Sequence, residues 1–368
     1  MNILCLVSYN FLPAKMGGQK GIASFYEFYA KELNITCVTT RSNDPKAANY
    51  EVLNILSDSA LRYINIGYFF TLRNLIRSKN ISHLQIEHPY YGWLAVLLKW
   101  FCGVQFIVHS HNIESLRFKS IGKKWWRLLW LYERWVHQNA DFNLFISDED
   151  KDFAQKNYAL NKEKCITATY GIDWPKAPSE EEQQHCKKSL TNRYKIDSET
   201  LMLFYNGTFS YKPNLDGLHT ILDSINPILS REGLKYAIVI CGKNIPEDIK
   251  RQQYPNVFIE GFVPDISIYF KGSDIFLNPV IDGGGIKTKL VEALGYNLFA
   301  ISYKDGAIGI PQDCVEDKLF VVATPQEFVE KIIDLKNKKH SIQPKYFEHF
   351  YWGNIIDRVV TFLKKKSI

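Results

Sequence analysis

The stretch Asn278 to Leu294, NPVIDGGGIKTKLVEAL, brings together residue types that suit one kind of chemistry. An apolar run, SDIFLNPV, gives way to Asp282 and three glycines, Gly283, Gly284 and Gly285. Ile286, Lys287 and Lys289 follow, and a helix-like segment carries Glu292. Glycines between a strand end and a helix start leave backbone N–H groups bare, and these groups with the helix dipole favour a phosphate oxygen. Lys287 and Lys289 add positive charge, and Glu292 can accept hydrogen bonds from sugar hydroxyls. A glycine run is equally the ordinary material of a turn with its lysines in solvent. The rest of the chain has to supply the context.

Short β-rich runs alternate with helical patterns almost throughout. NILCLVSY, ITCVTT, HLQIEH, QFIVHSH, FNLFIS and KCITATY read as strands buried on both faces, separated by segments long enough for helices. The polar stretch YGIDWPKAPSEEEQQHCKKS interrupts this pattern, and the alternation restarts with LMLFYNG, YAIVICG, NVFIEGF, DIFLNPV, LFAISY and LFVVAT. The fold class expected is α/β, with two successive doubly wound parallel sheets. Residues 1–172 form the first domain, 173–196 a linker, 197–345 the second domain, and 346–368 a terminal helix returning to the first domain. Ligands of open α/β sheets sit at the carboxyl ends of the strands, so two such domains facing each other make a cleft there.

The 368 residues suit two domains, and 46% hydrophobic content with 23 Phe, 21 Tyr and 8 Trp excludes a disordered chain. A net charge of +6 fits an anionic ligand or membrane surface without calling for nucleic acid. The seven cysteines are scattered with no CxxC pair, which points to reduced thiols in a cytoplasmic protein and no zinc site. No GxGxxG follows the first strand and no GxxxxGK[ST] or GxSxG occurs, which argues against a nicotinamide dehydrogenase, a P-loop ATPase and an α/β-hydrolase. The acidic cluster SDEDKDFA follows a strand where a helix should begin, so it reads as helix capping rather than a metal motif.

The GGGIKTK stretch resembles the donor loop of the GT-B glycosyltransferases, specifically the retaining group called glycosyltransferase family 4. That family carries two glutamates with seven residues between them. Here Glu292 matches the second, while Gly284 stands at the first, as in a subgroup with a GGGxKxK loop. The likeness runs along the chain in order. SYNFLPAKMGGQKG is similar to the first loop, with Gly17 and Gly18 matching the glycine pair that approaches the donor diphosphate. IVHSHNIE matches the segment whose histidine lies near the transferred sugar, and His111 fits better than His109. YNGTFSYKPNLDG looks like the start of the second domain. After Gly207, Thr208 replaces the usual arginine, and Lys212 is the candidate for the lysine that grips the diphosphate. VFIEGFVPD resembles the base-binding region, with Phe262 and Val263 beside the nucleobase.

The resemblance implies transfer of a sugar from a nucleotide sugar with retention at the anomeric carbon, to a glycan or lipid-linked acceptor. Lys287 and the loop amides would neutralise the leaving diphosphate without a metal or other cofactor. Glu292 would hold the ribose, and His111 would contact the donor sugar or the acceptor hydroxyl. The other readings are a GT-B sugar-nucleotide epimerase and a binding module without turnover. FKSIGKKWWRLLWLYERWVHQ mixes basic residues with tryptophans. It suits either an anionic membrane surface, at the inner face of the plasma membrane, or an ordinary core face formed by Trp126, Leu129 and Trp130.

Overall fold

The structure is a computed structural model that describes residues 1–14, 17–281 and 285–365. Asp282, Gly283 and Gly284 lie outside the described residues. The chain divides into two compact units, one of 1–173 with 352–368 and the other of 174–351.

The first unit is built on seven parallel strands: β1 (Asn2–Val7), β2 (Asn34–Thr40), β3 (Glu51–Leu56), β4 (His83–Glu87), β5 (Gln105–Ser110), β6 (Phe142–Phe145) and β7 (Cys165–Thr167). Their order is β3-β2-β1-β4-β5-β6-β7. Strand order reverses between β1 and β4, and that is where an open sheet leaves a crevice at its carboxyl edge. β1 is buried from Ile3 to Val7, and β4 is buried along its whole length, as strands covered on both faces must be. The edge strand β3 was not among the expected strands. Most of it is only half-buried, so its side chains lack the continuous apolar run of the central strands.

The second unit has six parallel strands: β8 (Leu201–Thr208), β9 (Tyr236–Lys243), β10 (Val257–Gly261), β11 (Ile275–Asn278), β12 (Phe299–Tyr303) and β13 (Leu319–Val322). The order β10-β9-β8-β11-β12-β13 places its reversal between β8 and β11. The expected pair of doubly wound parallel sheets is what the chain forms.

The polar stretch read as a linker contains the helix Glu180–Tyr194, opened by a capping box between Ser179 and Glu182. It packs within the second unit, where a Cβ on Gly272 would come within 2.8 Å of Leu190. The terminal segment read as one helix is two. Pro344–Phe350 belongs to the second unit, where the Tyr346 hydroxyl donates to the Val291 carbonyl at 2.5 Å. Trp352–Lys364 belongs to the first, with Trp352 against Phe25 of the helix Gly17–Glu32. A Cβ on Gly171 would meet the Trp352 ring at 2.5 Å, so only glycine lets the chain pass there. In the SDEDKDFA segment, Ser147 accepts from the Asp150 N–H and starts the helix Asp148–Asn157, the capping role expected of it.

Candidate active site

In the second unit the chemistry collects at the carboxyl end of β8. Lys287 is the N-cap of the helix Thr288–Gly295, and its ammonium donates to the Gly285 carbonyl at 2.9 Å. Lys289 reaches back to β8. Its Nζ donates to the Asn206 carbonyl at 3.2 Å and to Asn214 Oδ1 at 3.0 Å, and lies 4.3 Å from the centre of the Tyr205 ring. These oxygens are neutral. Burial pushes Lys289 down to about 7, and the nearby charge of Lys287 pushes the same way. Burial also takes Lys287 down to about 8, against the upward pull of Asp305. Two lysines whose charge burial disfavours thus meet at the start of this helix, and an anion there would restore it.

Glu292 stands three residues beyond Lys289, on the same face of the helix, and is half-buried. Ile286 is buried against the turn at Gly309, whose φ of +83° favours glycine. Beneath them Asn278 closes β11, its amide donating to Ser302 Oγ at 2.9 Å and to the Gly306 carbonyl at 3.1 Å. A Cβ on Gly306 would come within 2.5 Å of both Asn278 Nδ2 and Ser302 Oγ. Gly306→Ala is therefore expected to destabilise the protein by roughly 1–3 kcal/mol, read as a lower chemical-denaturation midpoint. An unchanged midpoint would show that the turn carrying Asp305 relaxes freely.

The other expected donor residues are placed differently. Gly207 and Thr208 end β8, and the Thr208 carbonyl accepts from the Asn214 amide at 3.1 Å, so they share a partner with Lys289. The Lys212 side chain is 80% exposed and pairs with Asp216 on its own helix. Phe262 and Val263 follow the edge strand β10, and the exposed Phe262 ring lies 4.3 Å below the Lys243 ammonium. Asn214 and Tyr205, which seat Lys289, were not among the expected residues. Nothing in their local sequence marks them, because their role comes from strand and helix placement.

In the first unit a buried acid sits at the crevice between β1 and β4. Glu87 ends β4, opposite His109 of β5 in register. Its Oε1 accepts from the Tyr26 hydroxyl and from Gln85 Nε2 at 3.0 Å, and Oε2 lies 2.5 Å from His111 Nε2. His109 Nδ1 is 3.2 Å from Oε1 and 3.1 Å from Oε2. Burial pulls the Glu87 carboxyl upward, but His109 and His111 outweigh it and hold it well below the usual carboxylate range. His109 is pushed down, since burial exceeds the pull of Glu87. His111, the expected residue, is thus tied to a carboxylate that sequence reasoning did not single out. The one signal was an acid closing the strand HLQIEH, at the carboxyl end where ligands of such sheets bind. Gly17 opens the helix Gly17–Glu32, and a Cβ on Gly18 would meet nothing within 4 Å.

The aromatic basic segment forms the helix Trp126–Asn139. It buries Leu129, Glu133, Val136 and His137, and the Glu133 carboxylate accepts from the Glu114 and Ser115 backbone at 2.8 and 3.0 Å. Of the expected core face, Leu129 is buried while Trp126 and Trp130 are half-buried. The outward stripe is also apolar: Leu128 is 71% exposed and Leu131 57%, with Trp125 and Trp135 at either end. Lys123, Lys124 and Arg127 are exposed beside it.

Two parallel doubly wound units, each with its polar groups at a strand-order reversal, define the class that comparison with known proteins makes specific. A family model described as Glycosyltransferase Family 4 matches residues 17–173, and one described as Glycosyl transferases group 1 matches residues 200–338. Between them they take in most of the chain, which belongs to this superfamily of glycosyltransferases. A curated relative, an uncharacterized 44.6 kDa protein in the cps region of Klebsiella pneumoniae, is 26% identical over 220 residues. That alignment takes in 55% of this chain, and the chain spans about half the length of the relative, 52%. Among solved structures, HepE of Anabaena in complex with UDP has a TM-score of 0.74 at 13% identity, over 99% of this chain and 100% of the other. The lipopolysaccharide outer core galactosyltransferase WaaB, in its apo form, has a TM-score of 0.69 at 15% identity over 100% of both chains. Sucrose-phosphate synthase from Thermosynechococcus elongatus has 0.72 at 12%, over 99% of both. At these identities the likeness establishes the fold, which is GT-B.

Proposed function

We propose that the protein is a retaining glycosyltransferase of the GGGxKxK subgroup. It moves a sugar from a nucleoside diphosphate sugar to a glycan or lipid-linked acceptor in the assembly of a cell-surface polysaccharide or lipopolysaccharide. The observation that carries this reading is the half-buried pair Lys287 and Lys289 at the start of the helix Thr288–Gly295, with the Lys289 ammonium held by the neutral oxygens of Asn206 and Asn214. In the transfer, the bond from the anomeric carbon to the diphosphate oxygen breaks and a bond to the acceptor oxygen forms. Negative charge grows on the leaving diphosphate, and preorganised ammonium groups stabilise it most where water is scarce. Lys287 and Lys289 take that role with no metal invoked, Glu292 holds the ribose, and His111 contacts the transferred sugar or the acceptor hydroxyl. The complex of HepE with UDP supports a uridine nucleotide, and the lipopolysaccharide galactosyltransferase WaaB and the cps-region relative of Klebsiella support a surface glycan.

A thermal-shift screen of UDP-, GDP- and ADP-sugars, followed by transfer assays over an acceptor panel, tests the reading. A donor that raises the melting temperature and is consumed only with acceptor present is the expected result. Product formed from donor alone would mean an epimerase, and binding without turnover would mean a binding module.

The outward stripe of the helix Trp126–Asn139, with its exposed lysines and arginine, suits the surface of an anionic bilayer where a lipid-linked acceptor resides. No helix among the described residues is long and apolar enough to cross a membrane. The protein is expected to float with anionic vesicles, and Leu128→Asp with Leu131→Asp to abolish flotation while the fold survives. Wild-type protein that stays at the bottom of the gradient would remove this surface from the account.

A further inference from the structure

We infer that Glu87 is a positioning residue for transfer: it holds the proton of His111 on Nε2, so that Nδ1 is left to accept a hydrogen bond from a sugar or acceptor hydroxyl. The inference rests on the glycosyltransferase reading above, but its first test does not depend on activity.

A fully buried carboxylate is costly unless its oxygens are satisfied, and Glu87 is satisfied by a division of labour. Tyr26 and Gln85 both donate to Oε1, Oε2 lies 2.5 Å from His111 Nε2, and His109 Nδ1 sits between the two oxygens at 3.2 and 3.1 Å. An ionised carboxylate only accepts, so the proton in that contact sits on Nε2. The His109 ring lies 4.4 Å from that of His111 between centroids, tilted by 45°, and the His88 ring lies 5.0 Å away, so the His111 ring is crowded by two others. His88 itself adopts a φ of +61°, an uncommon conformation that lies immediately after Glu87.

Glu87, His109 and His111 also place three donor atoms within 4.8 Å of one another, a set that could hold a divalent metal. The 2.5 Å between Glu87 Oε2 and His111 Nε2 is shorter than two ligands of one metal would adopt, and the zinc measurement below decides between the two. Ligands sharing a tetrahedral zinc sit roughly 3.3 Å apart, given metal–ligand distances of about 2.0–2.1 Å. A separation of 2.5 Å between a ring nitrogen and a carboxylate oxygen is a short hydrogen bond.

Glu87→Gln separates these ideas. Tyr26 and Gln85 would keep the amide oxygen in the Oε1 position, which turns the new NH2 toward His111. Nε2 must then accept, and the proton moves to Nδ1. Nitrogen chemical shifts of the His111 ring, assigned with a His111→Gln control, are expected to show the Nε2–H form in the wild type and the Nδ1–H form in Glu87→Gln. With the donor found above, kcat is expected to fall at least about tenfold, as a wrong tautomer does elsewhere, with donor affinity changed less than about twofold. In the His111→Gln background, adding Glu87→Gln is expected to cost nothing further in kcat. If Glu87→Gln is too unstable to purify, Tyr26→Phe is the second variant. It removes a donor to Oε1 alone, and the Nε2–H form is expected to persist. An unchanged tautomer in folded Glu87→Gln, or additive losses in the double variant, would overturn the assignment. So would one equivalent of zinc purifying with the protein and leaving on Glu87→Gln.

Discussion

Lys289→Met is expected to lower transfer on the order of a hundredfold while leaving the unliganded protein at least as stable as the wild type. The two halves of that result have one cause. The Lys289 ammonium is held by two neutral oxygens and a tyrosine ring, and burial has already pushed it down to about 7. A charge in such a place destabilises the empty protein, and methionine fills the same volume without it. What is lost appears only when a diphosphate arrives and the missing charge no longer offsets the one growing on the leaving group. Lys287→Ala and Glu292→Ala are each expected to cost at least about tenfold, or 1.4 kcal/mol of barrier. Turnover against donor, with thermal melts of the same samples, makes the comparison. A Lys289→Met protein with wild-type turnover would remove the lysine from the site, and one that melts much lower would recast it as a structural group.

The second large effect is on pH. In the free protein Lys289 and Lys287 are lowered from 10.5 to about 7 and about 8, with burial the main cause in both. Between those values and 10.5 the unfolded chain holds more protons than the folded one. The stability of the unliganded protein therefore rises with pH over that window through these two groups. Binding runs the other way. A diphosphate beside the ammonium groups raises both again, so above pH 8 the complex must take up protons the free protein has shed. Affinity for a UDP-sugar is expected to fall roughly tenfold per pH unit for each lysine that must be recharged, and to level off below pH 7. Calorimetry at pH 8.5 in two buffers of different ionisation enthalpy should register net proton uptake, and at pH 6.5 almost none. Affinity that is flat from pH 6.5 to 8.5, with no proton exchange, would mean that the lysines are not at the diphosphate.

Much of this molecule is legible in its sequence because parallel strands buried on both faces leave continuous apolar runs, and twelve of the expected runs became strands. β3 escaped because an edge strand packs less and alternates less. The terminal segment was misread as one helix because a break at Tyr351, which separates two units, leaves the apolar spacing on either side intact. In the site, Lys287, Lys289 and Glu292 could be named from spacing alone, since a loop and the helix after it lie next to each other in sequence. Glu87 and His111 are neighbours only because β4 pairs with β5, and Asn214 meets Lys289 only because its helix follows β8. Such contacts are properties of the sheet and leave no local trace. Lys212, named from its spacing, is exposed and pairs with an acid one turn on, Asp216.

The donor assignment stands or falls on where a diphosphate sits. Crystals soaked with a UDP-sugar should show phosphate oxygens at about 3 Å from both Lys287 Nζ and Lys289 Nζ, with the ribose against Glu292. A nucleotide bound elsewhere, with both ammonium groups still on the Gly285, Asn206 and Asn214 oxygens, would contradict it.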